Sequence, residues 1–125
     1  MSRSIFESIH RGDMLQSCLL LETADTINAQ DKSRRDQRTV LMSLCAEKMV
    51  EAAGRAVDLG ADIDIQDSDG WTALHYAASL NQYTVVAKLL EQGADTDLVN
   101  SDGDTPLSLA ILEGYTECIE LLRYA

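Results

Sequence analysis

The stretch GADIDIQDSDGWTALHYAA, residues 60–78, returns 33 positions later as GADTDLVNSDGDTPLSLAI, residues 93–111. Working outward, the same interval separates Thr39, Thr72 and Thr105, then Leu41, Leu74 and Leu107, then Asp36, Asp69 and Asp102. Agreement over this many positions is a repeat, and a period in the range of 20–50 residues belongs to stacked, quasi-linear architectures.

Each copy carries the chemistry of a helix pair. Thr72 and Thr105 precede apolar runs as N-caps, and Pro106 stands at the first helical position, where its missing N–H costs nothing. Leu74, Ala77 and Ala78 recur at helical spacing in a first, Ala-rich helix; Val85, Val86, Leu89 and Leu90 do so in a bulkier second one. Gly60 and Gly93 end the second helices in the left-handed conformation. Ser68-Asp69-Gly70 and Ser101-Asp102-Gly103 then supply turn residues for a projecting finger. One such pair cannot hide its apolar face, so the units must stack.

These residues resemble the ankyrin-repeat family, whose signature is a 33-residue unit containing T-P-L-H-x-A. Thr72-Ala73-Leu74-His75-Tyr76-Ala77 matches it with Ala for Pro, and Thr105-Pro106-Leu107-Ser108-Leu109-Ala110 matches it with Ser for His. Thr39-Val40-Leu41-Met42-Ser43-Leu44 is a looser copy. Ile5, Phe6, Ile9, Arg11-Gly12-Asp13 and Leu19-Leu20-Leu21 align as a further unit. The resemblance implies an all-α solenoid of stacked helix-turn-helix units with β-hairpin-like fingers. Residues 1–125 form one domain, in units of approximately 1–34, 35–67, 68–100 and 101–125.

Composition agrees. The 125 residues are 46% hydrophobic and 25% charged, in the range of a folded domain that buries a modest core. Apolar stretches are too short for a membrane span, and the N-terminal MSRSIFESIHRGD lacks the apolar core of a signal peptide. A cytoplasmic or nuclear protein with no membrane partner is expected. Cys18, Cys45 and Cys118 fit no metal or redox spacing and fall on helix cores, as reduced buried thiols do. A net charge of −11 is wrong for a nucleic-acid backbone and suits a partner with a basic segment.

The copies differ in three places. Asp31 and Thr39 are eight positions apart where Asp67 and Thr72, or Asn100 and Thr105, are five apart, so the first finger is three residues longer. That loop, Lys32 to Arg38, holds four of the ten basic residues; it is either a solvated loop that tolerates lengthening or a positive finger for a partner. In the second unit Ala52, Ala53, Ala56 and Val57 replace Val85, Val86, Leu89 and Leu90, with Gly54 inside the helix. A mid-helix Gly costs roughly 1 kcal/mol and each missing methylene about 0.8 kcal/mol, so this helix should be the least protected interior segment. Finally, the first unit has Gln16 and Ser17 where later units are apolar, and Ile111, Leu112 and Ile119 of the last unit need not all be covered.

No phosphate loop, nucleophile elbow or HExxH stands in the chain, and no cofactor or metal is expected. The Asp-rich fingers fail the calcium-loop pattern, because counting back from Gly70 or Gly103 puts Ile65 or Leu98 at position 1. Those aspartates bond backbone donors in turns instead. His10 is solitary, and His75 stands at the family's structural histidine position. An enzyme is not expected.

The resemblance implies a protein-interaction module whose partner lies along the finger tips and first helices. Its contact positions fall here on Arg35, Arg38, Ala46 and Glu47, on Ser68, Asp69, Trp71, Ser79 and Leu80, and on Ser101, Asp102, Asp104, Leu112 and Glu113. Trp71 is either a local packing piece or an exposed anchor beside Asp69, Asp102 and Asp104, which would receive a Lys or Arg. Replacing it with Ala is expected to weaken binding by more than about 1 kcal/mol with little change in melting temperature. Two further readings stay open. Units three and four are similar to those of myosin-phosphatase targeting subunits, which would make the chain a regulatory subunit, although Arg38-Thr39-Val40-Leu41 does not fit that family's docking motif. A reader of basic or modified-lysine tails would need an aromatic cage from Trp71, Tyr76 and Tyr83.

Overall fold

In the computed structural model, residues 5–12 and 39–125 are described, and they form seven helices and no strand. Helix α1 is Ile5–His10, α2 Val40–Ala46, α3 Val50–Asp58, α4 Ala73–Ser79, α5 Tyr83–Glu91, α6 Pro106–Glu113 and α7 Thr116–Arg123. The threonine series caps the first helix of each unit. Thr39 accepts from the Met42 N–H at 3.2 Å, Thr72 from His75 at 3.3 Å and Thr105 from Ser108 at 3.2 Å. Each hydroxyl satisfies a donor that the first helical turn leaves unpaired.

A left-handed residue turns the chain out of each first helix. It is Gly12 after α1, then Lys48, Asn81 and Gly114, all with φ between 58° and 75°. Their spacings of 36, 33 and 33 residues carry the register through the first unit, the extra three being the lengthened first finger. Ile5 and Ile9, both buried, accordingly occupy the places of Leu41 and Cys45, and of Leu74 and Ala78. The loop itself, with Arg35 and Arg38, lies outside the described residues, as do Gln16, Ser17 and Cys18.

Packing runs from neighbour to neighbour. The first helices stack as α1 on α2, α2 on α4 and α4 on α6; the second stack as α3 on α5 and α5 on α7. Small side chains let the first helices approach: Ala73, Ala77 and Ala78 are at most 2% exposed. Val85, Val86 and Leu89 fill the volume beneath α5, whereas α3 offers Ala52, Ala53, Ala56 and Val57. This is the elongated, shared apolar interior of a helical-repeat solenoid. On the last unit Ile111 and Leu112 stay 56% and 77% exposed, and Ile119 is half-buried.

Gly54 is more than a missing side chain. A Cβ there would meet Cδ and Cε of Lys88 at 3.3 Å, so the gap on α3 seats the aliphatic stem of a lysine from α5. The Lys88 ammonium continues past it to both Asp58 oxygens at 2.8 and 2.9 Å. Both ends of that pair are substantially exposed, so the ion pair itself adds little; packing of the stem against Gly54 is the larger part. Among the described residues no helix is long and apolar enough to cross a membrane.

Candidate functional site

The fingers are built on one Asx turn used twice. Asp67 Oδ1 accepts the N–H groups of Asp69 at 3.0 Å and Trp71 at 2.9 Å. One unit on, Asn100 Oδ1 accepts those of Asp102 at 2.9 Å and Asp104 at 3.0 Å. Backbone bonds from Asp67 to Trp71 and from Asn100 to Asp104 close each loop. The side chains that organise the fingers are therefore Asp67 and Asn100, and the aspartates at the tips are left free for other work. Asp67 also takes the Tyr76 hydroxyl on Oδ2. At the equivalent of Tyr76 the last unit has Leu109, and the buried Asn100 Nδ2 has no partner among the described residues.

The two fingers are locked together. Ser101 donates both its N–H, at 2.9 Å, and its hydroxyl, at 3.0 Å, to the Asp69 carbonyl. Gln66 Nε2 bridges the carbonyls of Gly70 at 2.9 Å and Val99 at 3.0 Å. Gly70 is required twice over: its φ is +79°, and a Cβ would lie 2.9 Å from Asn100 Cα. At Gly103, φ +80°, nothing among the described residues lies within 4 Å of the same position.

His75 links the finger of the last unit to the helix of the one before. It is fully buried, and its Nε2 lies 2.9 Å from the Asp104 carbonyl. Its Nδ1 takes the Thr72 N–H at 3.1 Å, which assigns the proton to Nε2 and makes the ring neutral. Burial lowers its pKa; the Asp104 carbonyl and the charges of Asp67 and Asp104 oppose that shift. The role is structural, as the sequence position implied. Burial likewise pushes the Cys45 thiol up to about 12, and burial with Glu117 pushes Cys118 up to about 11, which makes both poor nucleophiles. Among the described residues no three His, Cys, Asp or Glu side chains are grouped to hold a metal ion.

Trp71 is half-buried. Its ring centroid is 5.0 Å from that of Tyr76 and 5.9 Å from that of His75, at tilts of 42° and 47°. It therefore packs locally and remains partly exposed. With those contacts its truncation must lower stability as well as any binding, contrary to the expectation of an unchanged melting temperature. Asp69 and Asp102 are exposed and Asp104 half-buried; among the described residues none of the three carboxylates has a hydrogen-bond or ion-pair partner. Ser68 and Ser101 are exposed at the tips, and Ser79 donates to the Tyr76 carbonyl at 3.0 Å. Ala46 and Leu80 are half-buried at the ends of α2 and α4, with Glu47 exposed beside Ala46. Leu112 and Glu113 are exposed at the end of α6. The structure thus unites the finger group but forms no cage from the aromatic trio: Tyr76 is buried between Trp71 and Asp67, and Tyr83 sits apart and exposed at the start of α5.

The expectation that the finger aspartates bond backbone donors holds for Asp67 and not for Asp69, whose carboxylate has no partner among the described residues; sequence reasoning missed the equivalent role of Asn100 and the bridge from Gln66. The signal for the pair was present: an Asp or Asn three residues before each finger glycine, at the repeat interval. The bridge had none, since the residue equivalent to Gln66 in the next unit is Val99.

A family model described as "Ankyrin repeats (3 copies)" matches residues 7–100 and again residues 41–125. Comparison with curated proteins returns no match.

Proposed function

Because the chain belongs to the ankyrin-repeat family, whose repeats are protein–protein interaction modules, we propose that it holds a partner protein along its finger rim and first helices, through a basic segment of that partner. The observation that carries this reading is the division of labour within the fingers. Asp67 and Asn100 bind the backbone, so Asp69, Asp102 and Asp104 carry charges that nothing among the described residues compensates. Three unpaired carboxylates on two interlocked loops, with the partly exposed Trp71 on the first of them, suit an arginine or lysine side chain. The hydrogen bonds that close and interlock the fingers leave little backbone ordering to be done on binding.

The direct test captures a partner from cell extract with a photo-crosslinker at Ser101, then compares the chain with the variant carrying Asp69→Asn, Asp102→Asn and Asp104→Asn. Binding to the captured partner should fall about tenfold or more, consistent with losses of a few tenths to 1 kcal/mol per charge pair. The melting temperature should hold or rise, since only repulsion is removed. Unchanged affinity for the captured partner would sink the proposal.

A further inference from the structure

A second feature lies away from the fingers, on the outer helices. Glu117, Glu120, Leu121 and Tyr124 occupy positions i, i+3, i+4 and i+7 along α7 and its cap, so they form one stripe on that helix. Together with Tyr83 at the start of α5 they line an open groove of about 500 Å³. Leu121 is half-buried in it, whereas Tyr83 and Tyr124 are 47% and 86% exposed. Among the described residues neither Glu117 nor Glu120 has an ion-pair partner, and neither tyrosine hydroxyl has a hydrogen bond.

The lining narrows the chemistry of an occupant. An anion is repelled by both carboxylates and by the chain's net charge of −11. A purely apolar group covers the rings but strips water from two charges and gives nothing back. A cation answers both parts, because ring faces and carboxylates attract the same sign. Arginine fits best: its guanidinium is planar, stacks on aromatic rings and pairs with carboxylates in two-pronged geometry.

We infer that this groove docks an arginine of a basic segment of a partner protein, with the guanidinium against Tyr83 and Tyr124 and paired to Glu117 and Glu120. The contact is separate from the finger rim and does not depend on it. The test is a titration of the full, isotope-labelled chain with a short peptide bearing two arginines, followed by amide chemical shifts. Salt is held at about 0.15 M, where screening over about 8 Å suppresses diffuse attraction. Saturable shifts should centre on residues 83, 117, 120, 121 and 124, and the same peptide with citrulline in place of arginine should produce none. Replacing both carboxylates, Glu117→Gln with Glu120→Gln, should weaken binding about tenfold. Tyr83→Ala with Tyr124→Ala should weaken it comparably while core resonances stay in place, both rings being exposed. Shifts spread over the whole acidic surface, shifts centred on Asp69 and Asp102 instead, an equal response to citrulline, or an affinity indifferent to the glutamine variants would each overturn the inference.

Discussion

Helices α3 and α5 stand one repeat apart in equivalent places, yet they are filled very differently. Over four matched positions α3 has eight fewer side-chain carbons, since Ala52, Ala53, Ala56 and Val57 replace Val85, Val86, Leu89 and Leu90. At ~0.8 kcal/mol per buried carbon the difference has a ceiling of about 6 kcal/mol. The backbone is the same in both, so the fold does not require the larger side chains; it requires only that each unit be covered by its neighbours. In a linear stack the strong unit supports the weak one, and stability is a sum of units and interfaces rather than a single core. Part of the deficit is made up from next door, where Lys88 lays its stem over Gly54.

The sharpest way to break the contrast is to make the third unit like the second. Leu89→Ala copies residue 56 onto α5 and should cost about 3–4 kcal/mol in denaturant unfolding, because a fully buried leucine leaves a cavity. A loss near 1 kcal/mol would mean that α5 collapses around the gap and that the filling of α3 is no handicap.

The fingers offer the second comparison. Gly70→Ala must strain a left-handed residue and push against the Asn100 backbone, so a loss of about 2–3 kcal/mol is expected. Gly103→Ala meets open space and should cost only the left-handed strain, about 1 kcal/mol. Equal losses in thermal or denaturant unfolding would show that the interlock between fingers contributes nothing.

His75 separates the junctions between units. The bond from its Nε2 to Asp104 ties units three and four, while the equivalent residue in unit two is the buried Met42. Replacing His75 by Ser, the residue at the matching position 108, should destabilise by about 2 kcal/mol near neutral pH. The pH dependence follows from the lowered pKa. The unfolded chain takes up the proton first, so this contribution is complete above pH of about 6.5 and declines as pH falls through the lower folded value. The gap between wild type and the serine variant should therefore narrow below pH of about 6.5. A gap that widens on acidification would mean that the ring is held as a cation.

The smallest effect has the opposite sign. Gly54→Ala adds a good helix former at the cost of shifting the flexible Lys88 stem by a few tenths of an ångström. A gain of about 0.5–1 kcal/mol is expected, and a loss would show that the seat for Lys88 matters more than helix propensity.

Much of this was legible in the sequence, for a physical reason. Thr39, Thr72 and Thr105 act on their own next turn, and the finger glycines answer to local backbone sterics, so their spacing alone marks the units. Contacts across units were not legible. Gly54 read as a pure deficit until Lys88, 34 residues away, was seen to lie over it. Trp71 read as a choice between anchor and packing piece, and its tilted contact with Tyr76 makes it a packing piece that stays partly exposed. The rim aspartates were identified by register with the family, yet which of them are free followed only from seeing Asp67 and Asn100 take the backbone donors. Arg35 and Arg38 lie outside the described residues.

Native-state hydrogen exchange, read amide by amide along α3 and α5, tests the inequality of the two helices most directly. Opening free energies over residues 54–58 should fall at least about 1 kcal/mol below those over residues 87–91, a tenfold difference or more in protection. Protection along α3 that equals or exceeds that of α5 would contradict the account.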